Sequence, residues 1–252
     1  MISTGKKFYQ ERTYRNLVNT AKLKHFQVVV KETDLLVHAE RKLEAETREL
    51  VLEHRGYVEA FIKTHPGFTA ALNPWRLDGP APKIVVDMVN AGTNAGVGPM
   101  AAVAGAIAEH VGTGLLKITN QVIVENGGDV FIKTEVPVTV GILAGKSPLS
   151  MQLGIRVRCG QQPVAVCTSS GTVGHSLSFG KADAVCIIAD SCAVADAVAT
   201  AIGNLVQSPA DINDAINAGK KIDKIGGIII IADDKIGIWG DLEVLPLKGK
   251  KG

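Results

Sequence analysis

The sequence predicts a mixed α+β (mixed α/β) fold in which antiparallel or mixed sheets pack against helices. Short apolar runs bounded by turn residues alternate irregularly with segments of helical periodicity, without the strict order of βαβ units. The 252 residues are 46% hydrophobic and 21% charged, which is typical of a globular protein with enough chain to bury a sizeable core. We therefore expect a single domain over residues 1–252.

The first half of the chain predicts a hairpin, a long helix, a strand and a second helix. "FQVVVKETDLLVHAE" predicts two strands around a polar turn at Lys31–Asp34, and residues 40–63 carry apolar side chains at helical spacing. "NPWRLDGPAP" at 73–82 predicts a loop, and "KIVVDMV" predicts a strand. The glycine-rich "NAGTNAGVGP" predicts a loop that leads into the helix "MAAVAGAIAEHV", with Pro99 first and its end before Gly112.

The second half of the chain is richer in strands. "QVIVE" and "DVFIKT" predict a hairpin, and "PVTVGIL", "GIRVRCG" and "PVAVCTSSG" predict further strands. The continuous apolar run "ADAVCIIA" predicts a strand that is buried on both faces. A helix is expected from about Cys192 to Val206, a second one with Ser208 as its N-cap, and a closing hairpin with its turn at Asp233–Lys235.

Charge and composition exclude several classes of function. Lys and Arg number 27 against 25 Asp and Glu, a net charge of +2, so no basic surface for nucleic acid is expected. Every long apolar run is broken by a charge or a turn residue before the roughly 18 residues of a membrane span, so no membrane partner is expected either. The polar beginning "MISTGKKFYQERTYRNL" has no apolar core of an export signal, which predicts a cytoplasmic protein.

The helix around "ADSCAVADAVATAIGNLV" is apolar except for Asp196 and Thr200. Cys192, Asp196 and Thr200 are spaced four residues apart and so share one helix face. A buried carboxylate needs a partner, and a carboxylate with a hydroxyl suits Mg²⁺. The alternative is that Thr200 bonds back to the Asp196 carbonyl and that Asp196 pairs with a lysine.

Three other segments carry polar or glycine-rich chemistry. In "ENGGDV", Asp129 follows a two-glycine turn and suits a ribose, an amine or a water, whereas a hairpin turn with a solvated aspartate is the plainer interpretation. "CTSSGTVGHS" offers a polar loop for phosphate and His175 as a general acid or base, although a lone loop histidine is more often structural. The glycine-rich loop at Gly98 opens a helix and so suits an anion, or is simply a tight turn.

These segments stand in the order that resembles the ApbE-type flavin transferases, which are FAD:protein FMN transferases. "NGGD" at 126–129, "TSSG" at 168–171, His175 and "ADAVAT" at 195–200 are similar to that family's motifs. The resemblance covers roughly residues 85–206. It implies an ApbE-like fold, FAD as a ligand, and a Mg²⁺ ion held by Asp196 and Thr200.

The sequence also departs from the family's pattern at two places. The region that corresponds to the family's "AKGYA" segment, "GVGPMAAVA" at 96–104, has neither its lysine nor its tyrosine. "GHSLSFGKADA" stands where the family has a "DP-x-TG" stretch after its histidine. The chain thus resembles a short, cytosolic branch of the ApbE-like superfamily, in which the fold carries over more securely than the flavin chemistry.

Three functions remain open from the sequence. The first is a magnesium-dependent enzyme on a flavin nucleotide or another phosphate ester. The second is thiol or sulfur chemistry at Cys167 or Cys192, since no Cys or His spacing typical of zinc is present. The third is a non-catalytic binding protein, with its small-residue helices packed across a homo-oligomer interface.

For the first function, the predicted site divides by role. The expected catalytic residues are His175 and Asp129, and the expected metal ligands are Asp196 and Thr200. The expected cofactor-binding residues share small or polar side chains: Asn126, Gly127, Gly128, Thr168, Ser169, Ser170, Gly171 and Gly98.

Overall fold

The computed structural model of the protein describes residues 23–171 and 178–247, which form five α-helices and eleven strands. The helices are α1 (Glu44–Thr64), α2 (Lys83–Ala95), α3 (Val103–Leu115), α4 (Cys192–Leu205) and α5 (Ile212–Gly219). The strands are β1 (Lys24–Val30), β2 (Thr33–Ala39), β3 (Val122–Asn126), β4 (Asp129–Lys133), β5 (Val138–Gly141), β6 (Leu153–Val157), β7 (Val164–Ser169), β8 (Ala184–Ala189), β9 (Ile225–Ala232), β10 (Lys235–Gly240) and β11 (Glu243–Pro246).

Nine strand pairs define two antiparallel sheets. The larger sheet has eight strands in the order β1-β2-β3-β4-β7-β8-β9-β10, and the smaller one has the order β11-β6-β5. Each pair of neighbours is antiparallel. The predicted α+β class is therefore confirmed, and its sheets are antiparallel rather than mixed.

The larger sheet is sandwiched between the helices and the smaller sheet. On β8, Val185 and Ile187 belong to the core cluster beneath the helices, whereas Ala184 and Cys186 belong to the cluster beneath the smaller sheet. Successive side chains of a strand point to opposite faces, so a strand covered on both sides is apolar throughout. This confirms the prediction that "ADAVCIIA" is buried on both faces.

Several local predictions are confirmed. The loop at 73–82 lies outside regular structure, and β1 and β2 form the expected hairpin. Ser208 and Asp211 form a capping box at the short 3₁₀ turn before α5. In the described part of the chain, none of the helices is long and apolar enough to cross a membrane.

The prediction of a strand over "KIVVDMV" is wrong, because these residues begin α2. The glycine-rich loop predicted over residues 90–99 is correspondingly shortened, since α2 continues to Ala95 and ends at Gly96 in the left-handed conformation. The side chains buried along α2 recur at helical spacing: Ile84, Val85, Met88, Val89, Ala91 and Gly92. A seven-residue apolar window is too short to separate this pattern from a buried strand.

The predicted end of the next helix before Gly112 is also wrong. Pro99 opens a 3₁₀ turn, Pro99–Ala102, and α3 then runs on through Gly112 to Leu115. A Cβ built on Gly112 would lie 2.3 Å from Cδ1 of Phe131. This glycine therefore lets α3 pack closely on β4 and does not terminate the helix.

Candidate functional site

Five of the predicted site residues lie where the β3–β4 turn and the end of β7 meet α3 and α4: Asn126, Gly127, Gly128, Asp129 and Asp196. Asn126 and Asp129 face each other across a two-residue hairpin, with Gly127 and Gly128 at φ +69° and +115°. Positive φ at both central residues explains the two glycines. The Asn126 side chain donates to the Ala104 carbonyl at 3.0 Å, which ties the turn to the start of α3.

Asp129 is buried on the helix-facing side of the large sheet, rather than solvated as the plain hairpin interpretation expects. It is only 6% exposed. The Thr168 backbone N–H donates a hydrogen bond to its carboxylate, and the Cys167 thiol lies beside it. Cys167 lies opposite Asp129 in the β4–β7 ladder, so the sheet register itself brings the two together.

Asp196 reaches the same place from α4, where the first turn of α3 holds it. The Gly105 backbone N–H donates to Asp196 Oδ2 at 2.9 Å, and the Ala104 N–H also donates to this carboxylate. A Cβ on Gly105 would lie 2.3 Å from the Cys192 carbonyl oxygen and 2.8 Å from Asp196 Cβ. Gly105 is thus the residue that permits α3 and α4 to approach, and the partner of Asp196 here is a helix N-terminus rather than a lysine.

Two like charges meet at this point. Burial, the Asp196 carboxylate and Glu125 all raise the pKa of Asp129 well above its usual value, while Cys167 and Thr168 oppose the shift. Burial also raises the pKa of Asp196 to about 7, against the hydrogen bonds from Gly105 and Ala104. At neutral pH the two groups therefore carry less negative charge together than two ordinary aspartates would.

Glu125 adds a third carboxylate on the opposite face of the same hairpin. It is 8% exposed, and its Oε1 accepts from the Gly128 N–H at 3.1 Å. This contact closes the glycine turn from behind and so holds Asp129 at the head of β4.

The two thiols nearest the carboxylates are deeply buried. Cys167 and Cys192 are fully buried, and Cys167 Sγ donates to the Cys192 carbonyl at 3.4 Å. Burial raises the pKa of both thiols, and the neighbouring carboxylates raise them further. Because the thiolate is the nucleophile, this environment works against thiol chemistry.

The "TSSG" segment divides between the two faces of the sheet. Thr168 lies 3.1 Å from Cys186 Sγ, on the side of the small sheet. Ser169 has the opposite orientation and faces Gly203 of α4, with its Oγ 3.8 Å from the position of a Cβ there. Gly171 packs against the Gly180 carbonyl, where a Cβ would come within 2.2 Å. Of these side chains, Ser169 points towards the helix layer that carries Asp196.

The remaining predicted residues lie in different surroundings. Thr200 is partly exposed, one turn after Asp196 on α4. Gly98 is buried against the Ala71 carbonyl, where a Cβ would come within 1.7 Å, so close backbone packing already explains this glycine. Ser170 follows β7 and is partly exposed. His175 lies outside the described residues.

The chemistry of Asp129 and Asp196 fits a divalent cation. Within residues 23–171 and 178–247, no three His, Cys, Asp or Glu side chains are arranged to hold a metal ion. Mg²⁺ usually takes only one or two protein carboxylates, with water and substrate phosphate completing its octahedron. A cation beside this pair would offset the burial of both carboxylates and the repulsion that adds to the raised pKa of Asp129.

Asp129 and Asp196 meet between an antiparallel sheet and the first turns of two helices in a protein of the α+β class. Comparison with known proteins gives its family. Residues 15–231 match the family described as "AbpE bacteria". This match covers most of the chain, so the chain belongs to that family.

Relatives and solved structures agree with this assignment. The UPF0280 protein of Methanocaldococcus jannaschii is 40% identical over 233 residues, which cover 89% of this chain and 94% of the relative. A UPF0280 protein of Methanosarcina barkeri is 38% identical over 221 residues, 86% of each chain.

Among solved structures, the fold is similar to that of the flavinyl transferase ApbE from Pseudomonas stutzeri. The TM-score is 0.52 at 14% identity, with 86% of this chain and 94% of that chain covered. The ApbE protein from Thermotoga maritima matches with a TM-score of 0.51 at 15% identity, over 85% and 96% of the two chains. These likenesses confirm the ApbE-like fold.

Sequence reasoning missed two residues of this site, Gly105 and Glu125. Gly105 is a glycine in the middle of a predicted helix, which is a signal of close packing, but the sequence does not reveal what it packs against. Glu125 ends the apolar run "QVIVE" immediately before the turn. Its burial follows from the small sheet that covers this face, which the sequence does not place.

Proposed function

We propose that the protein is a magnesium-dependent enzyme that acts on a flavin nucleotide or a related phosphate ester. The observation that carries this proposal is the desolvated pair Asp129 and Asp196, because two like charges held together destabilise the empty fold and favour a bound cation. Membership in a family whose solved relatives include flavin transferases supports the flavin nucleotide as the substrate class.

Each predicted residue has a role in this proposal. Asp196 and Thr200 hold Mg²⁺, which when bound neutralises the phosphate charge of the substrate. Asp129, beside the thiol of Cys167, holds or accepts a proton at its carboxylate, and His175 is the second candidate for proton transfer. The small and polar residues form the nucleotide-binding surface: Asn126, Gly127, Gly128, Thr168, Ser169, Ser170, Gly171 and Gly98.

The orientation of the side chains indicates which of these residues could contact a ligand through a side chain and which through the backbone. Ser169 faces α4 and is the hydroxyl of its segment best placed to meet a ligand near Asp196. Thr168 contributes through its backbone N–H to Asp129, since its side chain points to Cys186 on the other face. Gly127 and Gly128 allow a ligand to approach the hairpin backbone closely.

The flavin version of the reaction is a group transfer. The pyrophosphate bond of FAD breaks and AMP leaves. The FMN phosphoryl group passes either to an acceptor hydroxyl, forming a phosphodiester, or to water, giving free FMN. The acceptor hydroxyl loses its proton, for which Asp129 and His175 are the candidate bases. The chain lacks the lysine and tyrosine of the family's "AKGYA" segment, so a flavin acceptor other than a protein is equally compatible with the site.

The test is to incubate the protein with FAD and Mg²⁺ and to quantify AMP, free FMN and protein-bound FMN. The wild type should release AMP, and Asp196→Asn should reduce the rate at least a hundredfold. Asp214→Asn changes an exposed aspartate on α5 and serves as the matched control, with an unchanged rate expected. Equal rates in Asp196→Asn and the wild type would contradict the proposed metal site, and no product with FAD would contradict the flavin substrate.

A further inference from the structure

Helices α3 and α4 each supply a carboxylate to the first turn of the other. The Gly105 N–H of α3 donates to Asp196 Oδ2 of α4 at 2.9 Å. In the opposite direction, the Ala193 N–H of α4 donates to Glu109 Oε2 of α3 at 3.1 Å. The N–H groups of a helix's first turn have no acceptor within that helix and attract a carboxylate. Each helix therefore provides the anion that stabilises the beginning of the other.

Glu109 binds the beginning of α4 at two donors. Ser191, the N-cap of α4, donates its hydroxyl to the same Oε2 atom at 2.7 Å. The Ser191 Oγ in turn accepts from the Val194 N–H at 3.4 Å. One partly buried side chain of α3 thereby holds both the cap residue of α4 and the backbone of its second residue, Ala193.

The two contacts together fix how the helices cross. From Gly105 to Glu109, α3 advances by about one turn. Over the same contact, the partners on α4 step back from Asp196 to Ala193, so the helices are antiparallel here. The Cys192 carbonyl oxygen lies between the two contacts, 2.3 Å from the position of a Cβ on Gly105. The place of α4 is thus set at two points, of which Asp196 is only one.

The Asp196 contact is the less secure of the two. Its carboxylate lies beside that of Asp129, and the two repel each other when both are ionised. This repulsion favours movement of α4 away from the strand that carries Asp129. A cation bound to Asp196 would also compete with the Gly105 N–H for the lone pairs of the carboxylate. The Glu109 contact involves neither aspartate, so it can hold α4 in place under both conditions.

We propose that Glu109 is a positioning residue for the cation site, which keeps Asp196 beside Asp129 by holding Ser191 and Ala193 at the beginning of α4. Glu109 acts through α4 and not as a metal ligand. The consequence for Mg²⁺ rests on the proposed function, whereas the placement of Asp196 rests on the contacts between the two helices alone.

The first test follows the Gly105 amide by hydrogen exchange with NMR detection, in the absence of metal and FAD. This N–H reports on the position of Asp196, because it donates to that carboxylate. Glu109→Ala should make its exchange at least about tenfold faster, since the local opening of α4 becomes easier. Glu109→Gln should stay within about threefold of the wild type, because its amide oxygen can still accept from both donors. Unchanged Gly105 exchange in Glu109→Ala would overturn the proposal.

Glu40→Ala is the matched control, because Glu40 makes the same kind of contact elsewhere in the fold. Its Oε2 accepts from the Thr119 hydroxyl and from the Asn120 N–H, each at 2.8 Å. Both alanine variants therefore remove one carboxylate that joins a hydroxyl to a backbone N–H. Gly105 exchange should be unchanged in Glu40→Ala. Equal acceleration in Glu40→Ala and Glu109→Ala would assign Glu109 to general stability and overturn the positioning role.

The second test measures by calorimetry how much Mg²⁺ strengthens FAD binding. This gain should be about tenfold smaller in Glu109→Ala, as when a group that orients a metal ligand is removed. It should be retained in Glu109→Gln and Glu40→Ala. Glu109→Asp keeps the charge but withdraws it by one CH₂ group, so this milder variant should show both changes in weaker form.

The two tests separate failure of this inference from failure of the proposed function. A Mg²⁺ gain that is present in the wild type and unchanged in Glu109→Ala and Glu109→Asp would overturn the positioning role. No Mg²⁺ gain in the wild type, together with faster Gly105 exchange in Glu109→Ala, would contradict the proposed function and support the placement of Asp196 by Glu109.

Discussion

The two halves of α3 contact two side-chain clusters that contain aspartates. In the first cluster two carboxylates lie together, and in the second one carboxylate is paired with basic side chains. At the beginning of α3, Asp196 lies beside Asp129. Burial raises the pKa of both carboxyls, and the Asp196 charge raises that of Asp129 further. Further along, His110 of α3 donates to Asp87 of α2 at 2.9 Å, and Lys83 pairs with the same aspartate. There burial favours a higher pKa, but His110 and Lys83 outweigh it and lower the pKa of Asp87.

The comparison separates a structural carboxylate from a candidate functional one. Asp87 is compensated inside the fold, so ionising it stabilises the packing of α2 on α3. Asp129 and Asp196 accept backbone hydrogen bonds, but these do not offset burial and the pKa of each is raised, so ionising both works against folding. Strongly perturbed carboxylates of this second kind concentrate at functional sites, where a ligand supplies the missing positive charge.

The strongest way to break the first cluster is to separate α3 from α4. Gly105→Ala should destabilise the protein by about 3 kcal/mol, because the new Cβ would collide with the Cys192 carbonyl. Gly56→Ala is the matched control within helix α1, because a Cβ there meets no atom within 4 Å. It should raise stability by roughly 0.5–1 kcal/mol. Urea denaturation measures both, and equal effects would show that the close contact at Gly105 is unimportant.

Neutralising one aspartate in each cluster should change stability in opposite directions. Asp87→Asn should lose about 1.5 kcal/mol at pH 8, since a charge-assisted hydrogen bond to His110 is weakened. Asp129→Asn should gain about 1 kcal/mol at pH 8 in the absence of Mg²⁺, because it removes a repelling charge and its amide oxygen can still accept from Thr168. Losses of similar size in both variants would contradict the distinction between the clusters.

The gain from Asp129→Asn should also depend on pH. A carboxyl pKa that is raised in the folded state, as burial and Asp196 raise that of Asp129, contributes stability at low pH that is lost as pH rises through the raised pKa. The variant should therefore match the wild type at pH 5 and exceed it by about 1 kcal/mol at pH 8.

The difference in stability between Asp129→Asn and the wild type separates the carboxylate effect from that of the buried histidines. Burial and the neighbouring His25 lower the pKa of His38 to about 4, and burial and His110 lower that of His54. Neutral folded histidines lose stability as pH falls below about 6.5, which is the opposite trend. They are present in both proteins and cancel in the difference, so a gain that does not vary with pH would contradict the coupled carboxylates.

The smallest expected effect is on the chemical reactivity of the thiols around the first cluster. Iodoacetamide should label only Cys159 in the native protein, because it is partly exposed whereas Cys167, Cys186 and Cys192 are buried. All four cysteines should react in urea. Mass spectrometry counts the labels, and rapid native labelling of Cys167 or Cys192 would revive the thiol function.

The sequence predicts features that depend on neighbouring residues better than features that depend on residues far apart in the chain. The hairpin "NGGD", the doubly buried β8 and the cap at Ser208 depend on neighbouring residues, and the structure confirms them. The identity of α2 depends on a helical pattern longer than its seven-residue apolar core. Local sequence rules therefore misassigned α2 as a strand.

The candidate site is formed by residues that are far apart in the sequence. Asp129 and Asp196 are 67 residues apart, and their meeting requires the β4–β7 register and the close contact of α3 with α4. The sequence does show that a carboxylate in an apolar helix needs a partner. It does not show that this partner is the Gly105 N–H, since that contact depends on how two helices cross.

The most direct test of the central claim is calorimetric titration of FAD at pH 8, with and without Mg²⁺, into the wild type, Asp196→Asn and Asp87→Asn. Mg²⁺ should strengthen FAD binding at least tenfold in the wild type and in Asp87→Asn, and this gain should be lost in Asp196→Asn. Equal Mg²⁺ dependence in all three proteins, or none in the wild type, would contradict the claim that the like-charged pair is a cation-dependent nucleotide site.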